Sequence, residues 1–249
     1  MEKNLLNSEF IKSFITNNYD KPVQYRWSHG ATDLHLGDGL LIYALIQHMR
    51  AKNCVCIGSG GGFIPRIMTQ ARLDLHKQNI FDSKKPSPEW GDIGTTILID
   101  ANNGIGGKTD WVDEGSFMRN EFPCRIVLDT SENAYYNFIV KQDIQIDILY
   151  IDGNHSLEGV RDDFKLFTKN LSKNGLVILH DTDANYSKEF IKSHDIRDEH
   201  WQSFDGPAQF VSQFKEPEWE MLNLFNHGIL KDKPSSSGIT IFRKSEKFI

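Results

Sequence analysis

The chain has 249 residues, of which 39% are hydrophobic, 25% charged and 11% aromatic, with 19 Gly and 8 Pro. That balance excludes a disordered chain, a collagen-like repeat and a disulfide mini-scaffold, and the length is enough to bury a sizeable core. Thirty-four acidic against 28 basic residues leave a net charge of −6, which argues against a polyphosphate binder, so no nucleic-acid partner is expected.

No apolar run approaches the roughly 18–20 residues of a membrane span, and no membrane partner is expected. The N-terminal MEKNLLNSEF lacks the basic-then-apolar layout of a signal peptide. Three cysteines, Cys54, Cys56 and Cys124, are an odd number, and they read as reduced thiols of a cytoplasmic protein.

In chain order, Leu5, Leu6, Phe10, Phe14 and Ile15 recur at helical spacing, and Leu40–Met49 is a second apolar helix. Residues 1–50 are therefore read as a helical extension, and 51–249 as an α/β core within one domain. Lys21–Gly39 between the helices is read as a loop, whose Tyr25, Trp27 and His29 line an acceptor pocket or pack locally.

At Cys54 the texture changes. Cys54–Ile57 is a short continuous apolar run, followed by Gly58-Ser59-Gly60-Gly61-Gly62 and then by Ile64, Ile67, Met68 and Ala71 at helical spacing. The pattern predicts strand, glycine turn and helix, with Pro65 tolerated in the first helical turn. Further apolar runs are Thr96–Ile99, Arg125–Leu128, Ile146–Ile151, Leu176–Leu179, Met221–Phe225 and Gly238–Phe242. Helix-length intervals separate most of them, clearest in Ser156–Leu171, where Leu157, Val160, Phe164 and Phe167 share a face and Ser156 can cap. The runs predict a Rossmann-like, doubly wound, seven-stranded sheet, mostly parallel and covered on both faces. The short return between the last two runs predicts an antiparallel strand at the C-terminal end. His76–Thr95, polar and carrying Pro86 and Pro88, reads as an insertion.

A glycine turn after a strand lets backbone approach a ligand at a helix N-terminus. The dinucleotide fingerprint G-x-G-x-x-G needs glycine at position 63, which is Phe63, and the Gly-Lys-Ser/Thr of a phosphate loop is absent. What stands here is G-x-G-x-G, suited to a nucleoside across the strand end. The run VCIGSGGGF resembles motif I of the class I S-adenosylmethionine-dependent methyltransferases, with Cys56 where that family usually has an acid.

In open α/β sheets, ligands bind beyond the carboxyl ends of the strands. Asp100 follows the second run, and the resemblance implies that it holds the ribose hydroxyls of the cofactor; a plain turn aspartate is the alternative. Asp129-Thr130-Ser131-Glu132 follows the third, where the resemblance implies an adenine contact from Ser131 and Glu132; an N-cap with a first-turn acid fits equally. Gly58, Ser59, Gly60, Gly62, Asp100, Ser131, Glu132 and Asp152 thus form the expected cofactor set. Asn102–Trp111 is a glycine-rich stretch that closes over a ligand or merely connects.

Ile148–Asp183 carries the most chemistry. One buried strand delivers Asp152, then His155 across a turn, and the next delivers His180 and Asp181 to the same sheet edge. The passage IDGNHS…NGLVILHDT resembles the O-methyltransferases related to catechol O-methyltransferase and to the sugar and antibiotic O-methyltransferases, over Leu34 to Lys244. The resemblance implies a divalent-metal site at Asp152, His180 and Asp181. The family's usual ligands there are oxygens, so His180 leaves magnesium, a softer ion or no metal open. It also implies that His155 is the base that removes the acceptor proton, a role suited to an imidazole.

The expected function is methyl transfer from S-adenosylmethionine to a hydroxyl of a small molecule of the sugar class, the class resting on resemblance alone. A cofactor-binding but inactive scaffold and a nucleotide- or NAD-linked Rossmann enzyme are the alternatives. Homo-oligomerisation is left open.

Overall fold

The computed structural model describes residues 29–31, 36–58, 62–82, 94–101, 123–185, 205–225 and 236–245. The predicted helix Leu5–Asn17, the aromatics Tyr25 and Trp27, the turn residues Ser59 and Gly60, and the stretch Asn102–Trp111 lie outside them.

Seven strands form one sheet: β1 (Cys54–Ile57), β2 (Thr96–Ile99), β3 (Arg125–Val127), β4 (Ile146–Ile151), β5 (Leu171–His180), β6 (Trp219–Leu224) and β7 (Ile239–Lys244). Their spatial order is β3-β2-β1-β4-β5-β7-β6. Neighbours from β3 to β5 pair in parallel, and β7 runs antiparallel to both β5 and β6. This is the predicted doubly wound sheet, with its one reversed strand inserted between β5 and the edge.

Helices α1 (Asp38–Met49) and α2 (Phe63–Asp82) cover one face. Tyr43 donates to Asp74 at 3.0 Å and Gln47 to the Ala71 carbonyl at 2.6 Å, joining the two helices. Among the described residues, three helices cover the other face: α3 (Ser131–Ala134, continued by a π-helical turn over Tyr135–Val140), α4 (Leu157–Phe167) and α5 (Gly206–Gln213). On that side Phe164 is ringed by Phe210, Phe214, Trp219 and Phe242, with ring centroids 5.0–5.4 Å away. Such aromatic pairs add packing specificity to their large buried area. Among the described residues, no helix is long and apolar enough to cross a membrane.

Element boundaries differ most from expectation at α2 and β5. Helix α2 runs through Asp82, so the first part of the predicted insertion is helical; no proline interrupts it before Pro86. Strand β5 starts at Leu171, with a register shift opposite Ile146–Ile148. The extra residues include exposed Lys173 and Asn174, whose polarity hides the strand from a search for apolar runs.

Side chains alternate across a strand. Leu98, Cys56, Tyr150 and Ile178 face α1 and α2, and Ile97, Val55, Leu149 and Val177 face the opposite layer. The first four are also register partners across β2, β1, β4 and β5. Two residues further on, at the carboxyl ends, the same row continues as Asp100, Gly58, Asp152 and His180. Strand alternation and register therefore bring four of the sequence-predicted residues, Asp100, Gly58, Asp152 and His180, onto one line.

Candidate active site

The row starts with a close backbone approach. Gly58 has φ +78°, and a side chain there would collide with the carbonyl of Asp152. Its glycine character serves the packing of β1 against β4 as well as any ligand. Gly62, φ +77°, precedes α2, and its carbonyl accepts from Arg66 N at 3.3 Å. Cys56, at the family's acid position, is a buried thiol whose pKa burial pushes well up. As a neutral thiol it donates to the Gly58 carbonyl at 3.0 Å. Phe63 fills the place of the third dinucleotide glycine because it belongs to the core, stacked on His29 with centroids 5.5 Å apart.

Asp100 is buried at the end of β2, its backbone N–H bonded to the Val127 carbonyl at 3.1 Å. Beside it the chain after β3 enters α3. Thr130, one residue before Ser131, is the N-cap and accepts from Asn133 N at 3.3 Å. Glu132 is an exposed first-turn acid. Ser131 hydrogen-bonds the buried carboxyl of Asp163 on α4, whose pKa is raised to about 6, chiefly by burial.

At β4 and β5 the row becomes a cluster. Ser156 caps α4, accepting from Gly159 N at 3.0 Å, and the chain entering it passes through His155. His155 Nε2 lies 3.2 Å from Asp152 Oδ1 and 3.3 Å from Asp181 Oδ2. His180 Nδ1 lies 3.2 Å from the same Asp152 Oδ1 and 3.4 Å from Asp181 Oδ1. Two carboxylates and two imidazoles thus meet, as expected from the strand ends. Asp181 reaches His180, its own neighbour in sequence, with φ +57°. Among non-glycine residues, aspartate is one of the few that visits this left-handed region readily.

The charges are mutually dependent. Burial alone would lower the pKa of His180, but the Asp181 and Asp152 carboxylates outweigh it and raise that pKa well above 6.5. His155 is raised in the same way, against burial, by its bond to Asp152 and the charge of Asp181. Burial would raise both carboxylates, and His180 instead holds Asp152 and Asp181 below the usual range. The side chain of His180 is 1% exposed and that of His155 18%.

Behind His180 lies a second polar layer that the sequence did not announce. His29 stands 4.3 Å from it, ring to ring, with its Nδ1 3.3 Å from the Tyr150 hydroxyl. Burial pushes the His29 pKa down to about 3 and that of Asp38, at the start of α1, up to about 6. Ser236 donates to Asp38, and Ser237 Oγ lies 3.1 Å from His180 Nε2. Of the two readings of His29, acceptor pocket or local packing, its neighbours among the described residues, Phe63, Tyr150 and His180, favour packing. The available signal for the serines was the Ser235–Gly238 run before a reversed strand, which must begin where the parallel strands end.

A family model described as a methyltransferase domain matches residues 55–182. No curated protein matches the chain significantly. Among solved structures, the O-methyltransferase TomG from Streptomyces achromogenes, involved in tomaymycin synthesis and in complex with SAM, aligns at TM-score 0.57 and 12% identity, over 98% of this chain and 99% of that one. An O-methyltransferase from Bacillus cereus in complex with SAH gives 0.56 and 12%, over 94% and 97%. The SAH-bound methyltransferase PaMTH1 from Podospora anserina gives 0.57 and 14%, over 95% and 86%. At these identities the likeness is one of fold.

Proposed function

Since the family model spans just over half of its length, the chain belongs to the methyltransferase-domain family, and we propose that it moves a methyl group from S-adenosylmethionine to a hydroxyl of a small molecule of the sugar class. The observation that carries this reading is the single row across the sheet. A glycine turn and an acid suited to a nucleoside, Gly58 and Asp100, stand beside a cluster with a base, Asp152 with His155. The sugar class rests on the resemblance of IDGNHS…HDT to sugar and antibiotic O-methyltransferases.

Bound at the turn, S-adenosylmethionine supplies an electrophilic methyl group. The chain has two further tasks: to hold the acceptor oxygen in line and to take its proton. A hydroxyl is a poor nucleophile, so the proton must leave toward a base. His155 is the more exposed imidazole of the pair, and Asp152 and Asp181 fix its ring. Its Nε2–H donates to these carboxylates, so in the neutral ring the lone pair that takes the proton is on Nδ1. Asp100 holds the ribose diol, and Ser131 and Glu132 line the adenine side.

The residues also fit a divalent ion. The two His180 contacts, 3.2 Å to Asp152 and 3.4 Å to Asp181, exceed the ~2.7–2.9 Å of charge-assisted hydrogen bonds. They match the ~3.3–3.4 Å between ligands around a tetrahedral ion bonded at ~2.0–2.1 Å. Asp152, His180 and Asp181 would hold such an ion. His155 can also offer a ligand atom to the two carboxylates, but its greater exposure suits it to the base. Imidazole beside carboxylate favours zinc, manganese or a similar ion over magnesium. When bound, the ion would lower the pKa of an acceptor hydroxyl.

The test is calorimetric binding of S-adenosylmethionine, followed by transfer of its labelled methyl group to a panel of sugars and other small alcohols. Binding followed by labelling of a hydroxyl supports the reading. Binding without turnover on any acceptor, and indifference to loss of His155, would support the inactive scaffold. Preference for NAD would overturn both.

A further inference from the structure

His180 has two ring nitrogens, and they face different company. Nδ1 meets Asp152 and Asp181 at 3.2 and 3.4 Å, and Nε2 lies 3.1 Å from Ser237 Oγ. His29 and Asp38 stand on the inner side, and these two with His180 each offer a ligand atom, all within 4.8 Å of one another. One imidazole thus belongs to the inner set and, through Nδ1, also contacts both carboxylates of the outer set. The outer set contains Asp152, Asp181 and His155, and the inner set His29 and Asp38. Which set an ion takes depends on which nitrogen of His180 presents its lone pair.

We propose that Ser237 is the positioning residue that commits His180 to the outer set, by accepting its Nε2–H so that Nδ1 is the nitrogen that gives up its proton when an ion binds; this rests on the reading that the site takes a divalent ion. Three observations support it. Ser237 is fully buried, so water does not compete for the ring. Its backbone is pinned to the residues just after His180: Asp183 N donates to the Ser237 carbonyl at 2.9 Å, and Thr182 N to the Gly238 carbonyl at 3.3 Å. The adjacent hydroxyl, Ser236, donates to Asp38 and accepts from Gly238 N at 3.1 Å. The two serines thus divide the work, one engaging the inner carboxylate and the other the shared imidazole. A metal-binding histidine that donates its other N–H to a fixed acceptor is a recurrent arrangement, and removing the acceptor typically lowers affinity about 10–100-fold.

The experiment titrates Co²⁺ into the full chain, read by its visible absorption, in the parent, Ser237→Ala and Asp38→Asn. Binding of S-adenosylhomocysteine checks that each variant is folded. Ser237→Ala should lower cobalt affinity about 10–100-fold with cofactor binding intact, and Asp38→Asn should stay within about threefold of the parent. Parent-like affinity in Ser237→Ala overturns the proposal. An Asp38→Asn loss as large as that of Ser237→Ala also overturns it, because the ion would then sit in the inner set. If the parent takes no cobalt, the divalent-ion reading itself falls, whereas the Ser237 bond is tested separately by nitrogen-15 NMR. In metal-free protein the His180 Nε2–H should give a slowly exchanging resonance that disappears in Ser237→Ala. Absence of that resonance in the parent refutes the bond with or without metal.

Discussion

Asp152 Oδ1 lies 3.2 Å from both His155 Nε2 and His180 Nδ1, so a single carboxylate oxygen sits between the two imidazoles of the site. That shared oxygen links the residue proposed to move a proton with the residue proposed to hold an ion. Substitutions at the two histidines should therefore separate the roles, whereas Asp152 should affect both.

Replacing the base is the most direct separation. His155→Ala should lower turnover about 10²–10⁴-fold with cofactor affinity nearly unchanged, the scale of a lost general base. Ser156, not His155, caps α4, so the fold should survive. Since the base must be neutral, parent activity should fall as pH drops through a His155 pKa raised above 6.5 by Asp152 and Asp181 against the pull of burial. Turnover within a few-fold of the parent in a folded, cofactor-binding variant would remove His155 from the role and make His180 the next residue to test.

Two substitutions at the cofactor end should fail in different ways. Asp100→Ala should weaken S-adenosylmethionine binding by about 1–3 kcal/mol, the scale of a hydrogen bond involving a charged group. Gly58→Ala should cost stability as well, by at least ~1–3 kcal/mol, because its backbone is left-handed and its missing side chain points at the Asp152 carbonyl. Calorimetry and thermal unfolding distinguish them. An unfolding midpoint unchanged in Gly58→Ala would contradict the close approach of β1 and β4.

In chelator, the cluster should show its own pH window. His180 depresses Asp152 and Asp181 below 3.8, although burial alone would raise them. Their stabilisation is present above 3.8 and lost as pH falls through the depressed values. His155 and His180 are raised above 6.5, against burial, by the two carboxylates. Their contribution is full below 6.5 and lost as pH rises through the raised values. The stability difference between the parent and Asp152→Asn should therefore peak between about pH 4 and 6.5, read from unfolding midpoints across pH. A difference independent of pH would mean that these groups do not titrate as a unit.

Removing metal tests the remaining role. Excess chelator should abolish methyl transfer, and zinc, manganese or cobalt should restore it better than magnesium, given a donor set of two carboxylates and an imidazole. Full activity in chelator, with no metal by elemental analysis, would leave Asp152, His180 and Asp181 as polar contacts to cofactor and acceptor.

The central strands were legible because they are buried on both faces, so Cys54–Ile57, Ile97–Ile99 and Ile148–Ile151 read as unbroken apolar runs. The cluster was legible for a related reason: its members follow such runs directly, and parallel strands end on one edge. Hidden features had other causes. The start of β5 carries polar residues at its register shift, and the last turns of α2 fall in the polar stretch that reads as an insertion. The serines were hidden by distance along the chain. Ser237 meets a partner 57 residues away and Ser236 one 198 residues away, and no local pattern encodes such pairings.

The position of β7 between β5 and β6 bears on how the molecule matures. Proteins emerge from synthesis N-terminus first, and the strand that seals β5 comes from residues 239–244, after the other described strands. Until then β5 presents an unpaired apolar edge, a template for association with other chains, and His180 lacks Ser237. An unfinished chain can already contain the glycine turn, Asp100 and the reactive side chains without the bond proposed to orient His180. Completion of the site thus awaits β7, and in the interval when β5 is made and β7 is not, the site and the sheet edge are open together.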